Sequence, residues 1–124
     1  MPVTAEQLRE WALKAGLGNA EVEHRVVASR QYYAAYHRRR REAQALPMFT
    51  DSGGAHAQVI EALTRSKDMK LKSAGYRLRQ CRDARAQADY EIEGQFTLAD
   101  AEAMRDRCKV IWETVERRSD NDGT

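Results

Sequence analysis

Apolar residues recur along the chain at intervals of three and four, the period that puts them on one face of an α-helix. Thr4 and Gln7 stand at capping-box spacing, and Leu8, Trp11, Ala12 and Ala15 then form a stripe that Gly16 ends, predicting a first helix over about residues 5–15. Asn19 is placed to cap a second helix that runs without Gly or Pro to about Ala45, close to 40 Å at 1.5 Å per residue, and stops before Pro47. Residues Pro47 to Gly54 read as a loop. Val59, Ile60 and Leu63 carry a short third helix from Ala55 to about Ser66. Leu71, Ala74, Leu78, Cys81 and Ala88 carry a fourth to about Tyr90, with Gly75 costing it about 1 kcal/mol relative to Ala. Thr97 and Asp100 form a cap-like pair ahead of Leu98, Ala101, Met104, Cys108, Ile111, Trp112 and Val115, a fifth helix to about Arg117.

Short connections between long amphipathic helices favour antiparallel neighbours. The expected fold is all-α: an antiparallel up-and-down bundle with helices two to five as its core and the first packed across it. A chain of 124 residues holds one such domain, residues 1–118, followed by a polar, Gly-containing tail from Ser119 to Thr124 expected to be disordered. With 42% hydrophobic and 32% charged residues the chain has enough apolar matter to fold in water, and its two Pro and seven Gly argue against a turn-rich β-sandwich. No run approaches the eighteen apolar residues of a spanning helix, and Glu6, Arg9, Glu10 and Lys14 interrupt any signal-peptide core, so the expectation is a cytoplasmic protein without a membrane partner. Cys81 and Cys108 are too few for a metal ribbon or a disulfide framework and read as buried thiols.

The net charge of +2 says little about partners, but its distribution says more. Between Arg25 and Arg41 there are six Arg and no acid, and further bases cluster at Arg65 to Lys72 and at Arg77 to Arg85, whereas acids crowd towards the two ends. A basic middle is what a polyanion site requires, and a set of solvated helix faces paired with neighbouring acids is the alternative.

Within the second helix Arg30 and His37 are seven residues apart, which at 3.6 residues per turn places them about 20° apart on one face. Gln31, Tyr32, Tyr33, Ala34, Ala35 and Tyr36 lie between them and supply no acid. A permanent cation beside a group that exchanges protons near neutrality suits phosphodiester cleavage in RNA. The imidazole takes the 2′-hydroxyl proton or protonates the leaving oxygen, the guanidinium holds the phosphate, and the chemistry needs no metal. His24, beside Glu23, reads as a surface group. His56, after Gly53 and Gly54, either caps the third helix or approaches the cleft, with a structural role favoured. Tyr32, Tyr33 and Tyr36 read as packing residues, and Asp89 with Tyr90 as orienting Arg85 in an ion pair. The three His lack metal-ligand spacing, and the Gly pair lacks the Lys and Ser/Thr of a phosphate loop.

The run Ala28-Ser29-Arg30-Gln31-Tyr32-Tyr33-Ala34-Ala35-Tyr36-His37 resembles the signature of HEPN domains, helical proteins found among prokaryotic toxins and RNA-cleaving effectors, in which an Arg is followed after four to six residues by a His. His56, Arg85 with Ala88-Asp89-Tyr90, and the amphipathic last helix resemble family features at compatible spacing, so the likeness spans roughly Asn19 to Val115. It implies a metal-independent endoribonuclease without cofactor, a homodimer in which Arg30 and His37 of two subunits form a composite cleft. Gln31, in the polar position after the Arg, would assist. Arg38, Arg40 and Arg41, part of a run that includes Arg39, would contact RNA through phosphates. The resemblance also implies a toxin or defence setting, with an antitoxin or nucleotidyltransferase as partner. Arg39 stands where many toxin members carry a modifiable Tyr. The alternative is a non-catalytic HEPN-like module that scaffolds such a partner, and binding of duplex DNA through the basic helix is a third reading.

Overall fold

Local chemistry sets the helix ends. The computed structural model describes residues 3–47, 49 and 54–122, with side chains described through Glu113, and forms α1 (Ala5–Ala15), α2 (Glu21–Gln44), α3 (Ala55–Thr64), α4 (Met69–Tyr90) and α5 (Leu98–Asp122). Among the described residues there is no strand, so the all-α bundle expected from the periodicity is what forms. At α1 the capping box closes in both directions: Gln7 N–H donates to Thr4 Oγ1 at 3.1 Å, and Thr4 N–H to Gln7 Oε1 at 2.9 Å. Gly16, at φ 69°, ends the helix in a conformation that L side chains resist. Thr97 and Asp100 make the same reciprocal pair ahead of α5, at 3.2 and 2.9 Å. Asp68 caps α4 by accepting from Lys70 N–H at 2.9 Å and Leu71 N–H at 3.5 Å.

Two boundary expectations need correcting. Asn19 does not cap α2: the cap position is Ala20, which makes no side-chain bond, and Asn19 instead donates its own N–H to Glu23 Oε1 at 3.4 Å. Helix α5 runs past Arg117, so residues 119–122 of the tail expected to be disordered are helical. Gly123 and Thr124 lie outside the described residues, as do most of the expected Pro47–Gly54 loop and the side chain of Val115.

Helix α2 is the central element and packs against all four others. Its Ala28, Ala34, Ala35 and Ala43 are small enough to admit neighbours on several sides. Helix α1 folds back along it as an antiparallel hairpin, with Trp11 and Ala15 beside Val22 and Val26, and Leu8 beside His37. Helix α4 is also antiparallel to α2: Ser29 meets Asp89, and the α2 start meets the carbonyls at the end of α4. Helix α5 lies parallel to α2, Phe96 bonding near the α2 start at Glu21 and Ile111 near its end at Arg39, so the strict up-and-down alternation expected of helices two to five is not the topology of the bundle. Helix α3 begins beside Tyr32 and ends against Gly75 of α4.

The core is one cluster drawn from α2 to α5, with Tyr32, Ile60, Leu63, Leu78, Met104, Ile111 and the loop residue Phe96 almost wholly buried. Cys81 and Cys108 are the buried thiols expected, 4.0 Å apart between α4 and α5. Gly75, a weak helix former, has a packing reason for its place. A Cβ there would lie 2.8 Å from Leu63 Cβ and 2.8 Å from the Thr64 backbone N, so only Gly lets α3 approach α4 this closely.

Candidate active site

The stripe of α2 left uncovered by its neighbours is narrow and carries Val22, Glu23, Val26, Arg30, His37, Arg40, Arg41 and Gln44 on the exposed side. Arg30 and His37 are both on it. Seven residues is a rise of about 10 Å along the helix, and Tyr33 stands beside His37 on the intervening turn. Among the described residues no carboxylate pairs with Arg30, so its guanidinium is available to an anion.

Partial burial holds the His37 imidazole below its ordinary pKa of 6.5, and the cation of Arg40 one turn on adds to this. The ring is therefore neutral at pH 7 and able to accept a proton. The Tyr36 ring meets it edge-on at 5.0 Å between centroids, and the Tyr33 ring lies alongside at 6.4 Å.

His56 enters this cluster from α3. Its ring stacks on Tyr36 at 4.1 Å and 13°, and its Nδ1 is bonded to Tyr32 Oη at 2.5 Å. Burial raises the Tyr32 phenol well above its ordinary value, while burial first, and then Arg85, Arg82 and His37, lower the pKa of His56. Both groups are neutral at pH 7, and because a phenol is the better donor and an imidazole nitrogen the better acceptor, the phenol is assigned as donor to Nδ1 and the imidazole proton to Nε2. His56 does not cap α3, whose N-cap is Gly54 without a side-chain bond; it packs on the tyrosines of α2 instead. Its sequence signal was faint, a His near the start of a short helix, because only the packing of α3 on α2 brings it to the tyrosines.

Arg85 of α4 closes the third side. Its guanidinium lies 5.5 Å from the Tyr32 ring centroid, 5.4 Å from Tyr33 and 5.7 Å from Tyr90. Asp89 accepts from Arg85 Nη1 at 3.4 Å and from Ser29 Oγ at 3.2 Å, so the expected Arg85–Asp89 ion pair forms and Ser29 fixes it to α2. Tyr32, Tyr33 and Tyr36 pack, as expected, but they also make the wall that holds two imidazoles together.

Other residues singled out in the sequence fall elsewhere. Gln31 is not on this stripe. It is 7% exposed and turned towards α1 and α5, 100° around the helix from Arg30, where its amide reaches neither Arg30 nor His37 of the same chain. Arg40 and Arg41 are exposed near His37, and Arg41 shares a groove with it, Arg38, Thr4, Glu6 and Leu8. Arg38 is half-buried, its guanidinium 5.8 Å from the Trp112 ring centroid. His24 is buried rather than superficial and donates from Nδ1 to the Leu17 carbonyl at 2.6 Å, tying the α1–α2 turn to α2.

The basic middle of the chain is not one surface either. Arg25 donates to the carbonyls of Ala88 at 2.8 Å, Glu91 at 3.2 Å and Gly94 at 2.6 Å, satisfying acceptors that the end of α4 leaves open. Arg39, at 0% exposure, donates to both oxygens of Glu42 at 3.1 Å and to the Ile111 carbonyl at 2.9 Å. Both hold the bundle together.

Among the described residues no cluster of His, Cys, Asp or Glu could hold a metal ion, and no helix is long and apolar enough to cross a membrane. Comparison of the chain with protein-family models, with curated proteins and with solved structures finds no match.

Proposed function

We propose that this protein is a metal-independent endoribonuclease of the HEPN type, acting as a homodimer on single-stranded RNA. The observation that carries the reading is the placement of Arg30 and His37 together on the exposed stripe of the central helix, with no carboxylate paired to the Arg among the described residues and the imidazole neutral. Burial of either group within its own protomer, or projection to opposite sides, would have been incompatible with it. Arg30 binds the scissile phosphate and balances charge as it shifts to the leaving oxygen. His37 takes the 2′-hydroxyl proton as general base, for which a pKa below 6.5 leaves it in the right state at neutral pH. His56, its Nδ1 bonded to Tyr32, shares the Tyr36 ring with His37. Arg40 and Arg41 extend the cationic track. Gln31 has no part in this chemistry. A toxin or defence role, with an antitoxin or nucleotidyltransferase as partner, rests on the sequence resemblance alone.

The test is cleavage of single-stranded RNA in the presence of a chelator. Wild-type protein is expected to cut, and His37→Ala and Arg30→Ala, with unchanged circular dichroism and Tm, are each expected to lose about 10²-fold or more. Equal cleavage by wild type and His37→Ala would sink the proposal. Binding of RNA without cleavage would favour the non-catalytic module.

A further inference from the structure

Two surfaces at opposite ends of α4 combine exposed apolar side chains with charge of opposite sign. The first is the outward face of its N-terminal half, where Met69, Tyr76 and Gln80 recur at the spacing of one helix face and line a shallow groove with Lys72, Ser73 and Arg77. Met69 is 74% exposed, and Tyr76 stays 48% exposed although the Arg79 guanidinium lies 5.6 Å from its ring centroid. From Lys67 to Gln80 the cations are Lys67, Lys70, Lys72, Arg77 and Arg79, and the one acid, Asp68, caps the helix. Among the described residues no carboxylate pairs with any of the five. The second surface is the turn from α4 to α5. From Tyr90 to Asp100 it carries Glu91, Glu93 and Asp100 and no base. Phe96 is buried beneath it, while Tyr90, Ile92 and Leu98 are exposed, Ile92 by 73%. Arg25 holds the carbonyls of Glu91 and Gly94, and Glu21 accepts from Phe96 N–H, so this turn is already ordered before it meets a partner.

We propose that the groove on α4 receives the α4–α5 turn of a second copy of this chain, so that copies associate head to tail. Tyr90 and Ile92 of the incoming turn cover Met69 and Tyr76, and Glu91 and Glu93 face Lys72, Arg77 and Arg79. Charge complementarity selects this occupant, and the apolar residues on both sides supply what exposed side chains of this size lack, a dry neighbour. A nucleic acid would meet the cations but would leave Met69 without an aliphatic partner. Tyr76 and Tyr90 are about 21 Å apart along the helix, fourteen residues at 1.5 Å each, so a rigid copy cannot fill its own groove. Each copy offers one turn and one groove, and association continues past two copies unless the rotation closes a ring. The contact is small, which sets its Kd at about 10–100 µM. It uses neither Arg30 nor His37 and does not depend on the ribonuclease reading; pairing through α2 would persist without it.

Sedimentation equilibrium of the full chain tests this with two double variants at exposed positions, Met69→Glu with Arg77→Glu in the groove and Ile92→Lys with Glu93→Lys in the turn. The mass of the wild type is expected to rise with concentration over about 10–300 µM, and an increase of salt from about 50 mM to about 0.5 M should weaken the association about tenfold. Each double variant, with unchanged circular dichroism and Tm, is expected to stay at its smallest species. Mixing the two should restore association, because one keeps the turn and the other keeps the groove. In nitrogen-15 spectra of the turn variant, unlabelled groove variant should shift amides between Met69 and Gln80. A wild-type mass independent of concentration, association unaltered in either variant, no association in the mixture, or shifts centred elsewhere would each overturn the proposal. Oligouridine binding that the groove variant loses, in a wild type that does not self-associate, would assign the face to RNA and overturn it equally.

Discussion

The phenol of Tyr32 lies 2.5 Å from Nδ1 of His56, a hydrogen bond that joins the central helix to the start of α3 and that, with the phenol as donor, places the imidazole proton on Nε2. Tyr32→Phe removes the donor and leaves the ring contacts. The expected cost is about 1 kcal/mol in denaturant unfolding, together with a redistribution of His56 between its two tautomers. Nitrogen-15 spectra of the imidazoles report the latter, and a His56 spectrum identical in Tyr32→Phe and wild type would show that the phenol does not set the tautomer.

Both imidazoles of the cluster are held below 6.5, His37 by burial and Arg40, and His56 by burial, Arg85, Arg82 and His37. Since the folded pKa values lie below the unfolded one, the unfolded chain takes up protons first as the solution is acidified. The contribution of these residues to stability is complete above about pH 6.5 and is lost as the pH falls through their folded values. The denaturation midpoint should decline on acidification from pH 7 to pH 5, less steeply in His56→Phe than in wild type. Parallel declines in the two proteins would contradict this.

The proposed activity has a pH signature of the same origin. A general base with a lowered pKa gives a rate that falls only on the acid side of 6.5, and relief of the Arg40 charge raises that pKa. Arg40→Gln is expected to move the acid limb of cleavage to higher pH, whereas a variant acting only on RNA affinity would change KM and leave the limb in place.

Arg39 is a structural cation despite its place in a run of four arginines. Arg39→Ala strands the Glu42 carboxylate and the Ile111 carbonyl and opens a cavity, an expected loss of about 3 kcal/mol or more, while Arg41→Ala, at an exposed position, should change stability by less than about 0.5 kcal/mol. Urea denaturation distinguishes them, and similar values for the two would refute the assignment.

Gly75→Ala tests the α3–α4 contact. Helix propensity alone predicts a gain of about 1 kcal/mol. The 2.8 Å approach to Leu63 and to the Thr64 backbone predicts a net loss instead, because a backbone neighbour does not yield cheaply. A higher Tm in the variant would place α3 further from α4 than the structure does.

What the sequence determined by itself is whatever depends on residues within two turns of one another. The capping pairs Thr4–Gln7 and Thr97–Asp100, the stop at Gly16, the five helices and the common face of Arg30 and His37 all follow from a period of 3.6 and from side chains bonding to their own backbone neighbourhood. The same period sets Gln31 to one side of Arg30, but what that side faces depends on where α1 and α5 lie. Only the tertiary structure decided which of the clustered arginines face water. Arg25 is consumed by carbonyls more than sixty residues away and Arg39 by one on α5, partners that no local pattern announces. It likewise buried His24 and brought His56 to Tyr32, because helix faces are matched by the shape and charge of whatever packs on them, and that partner is chosen by the whole chain.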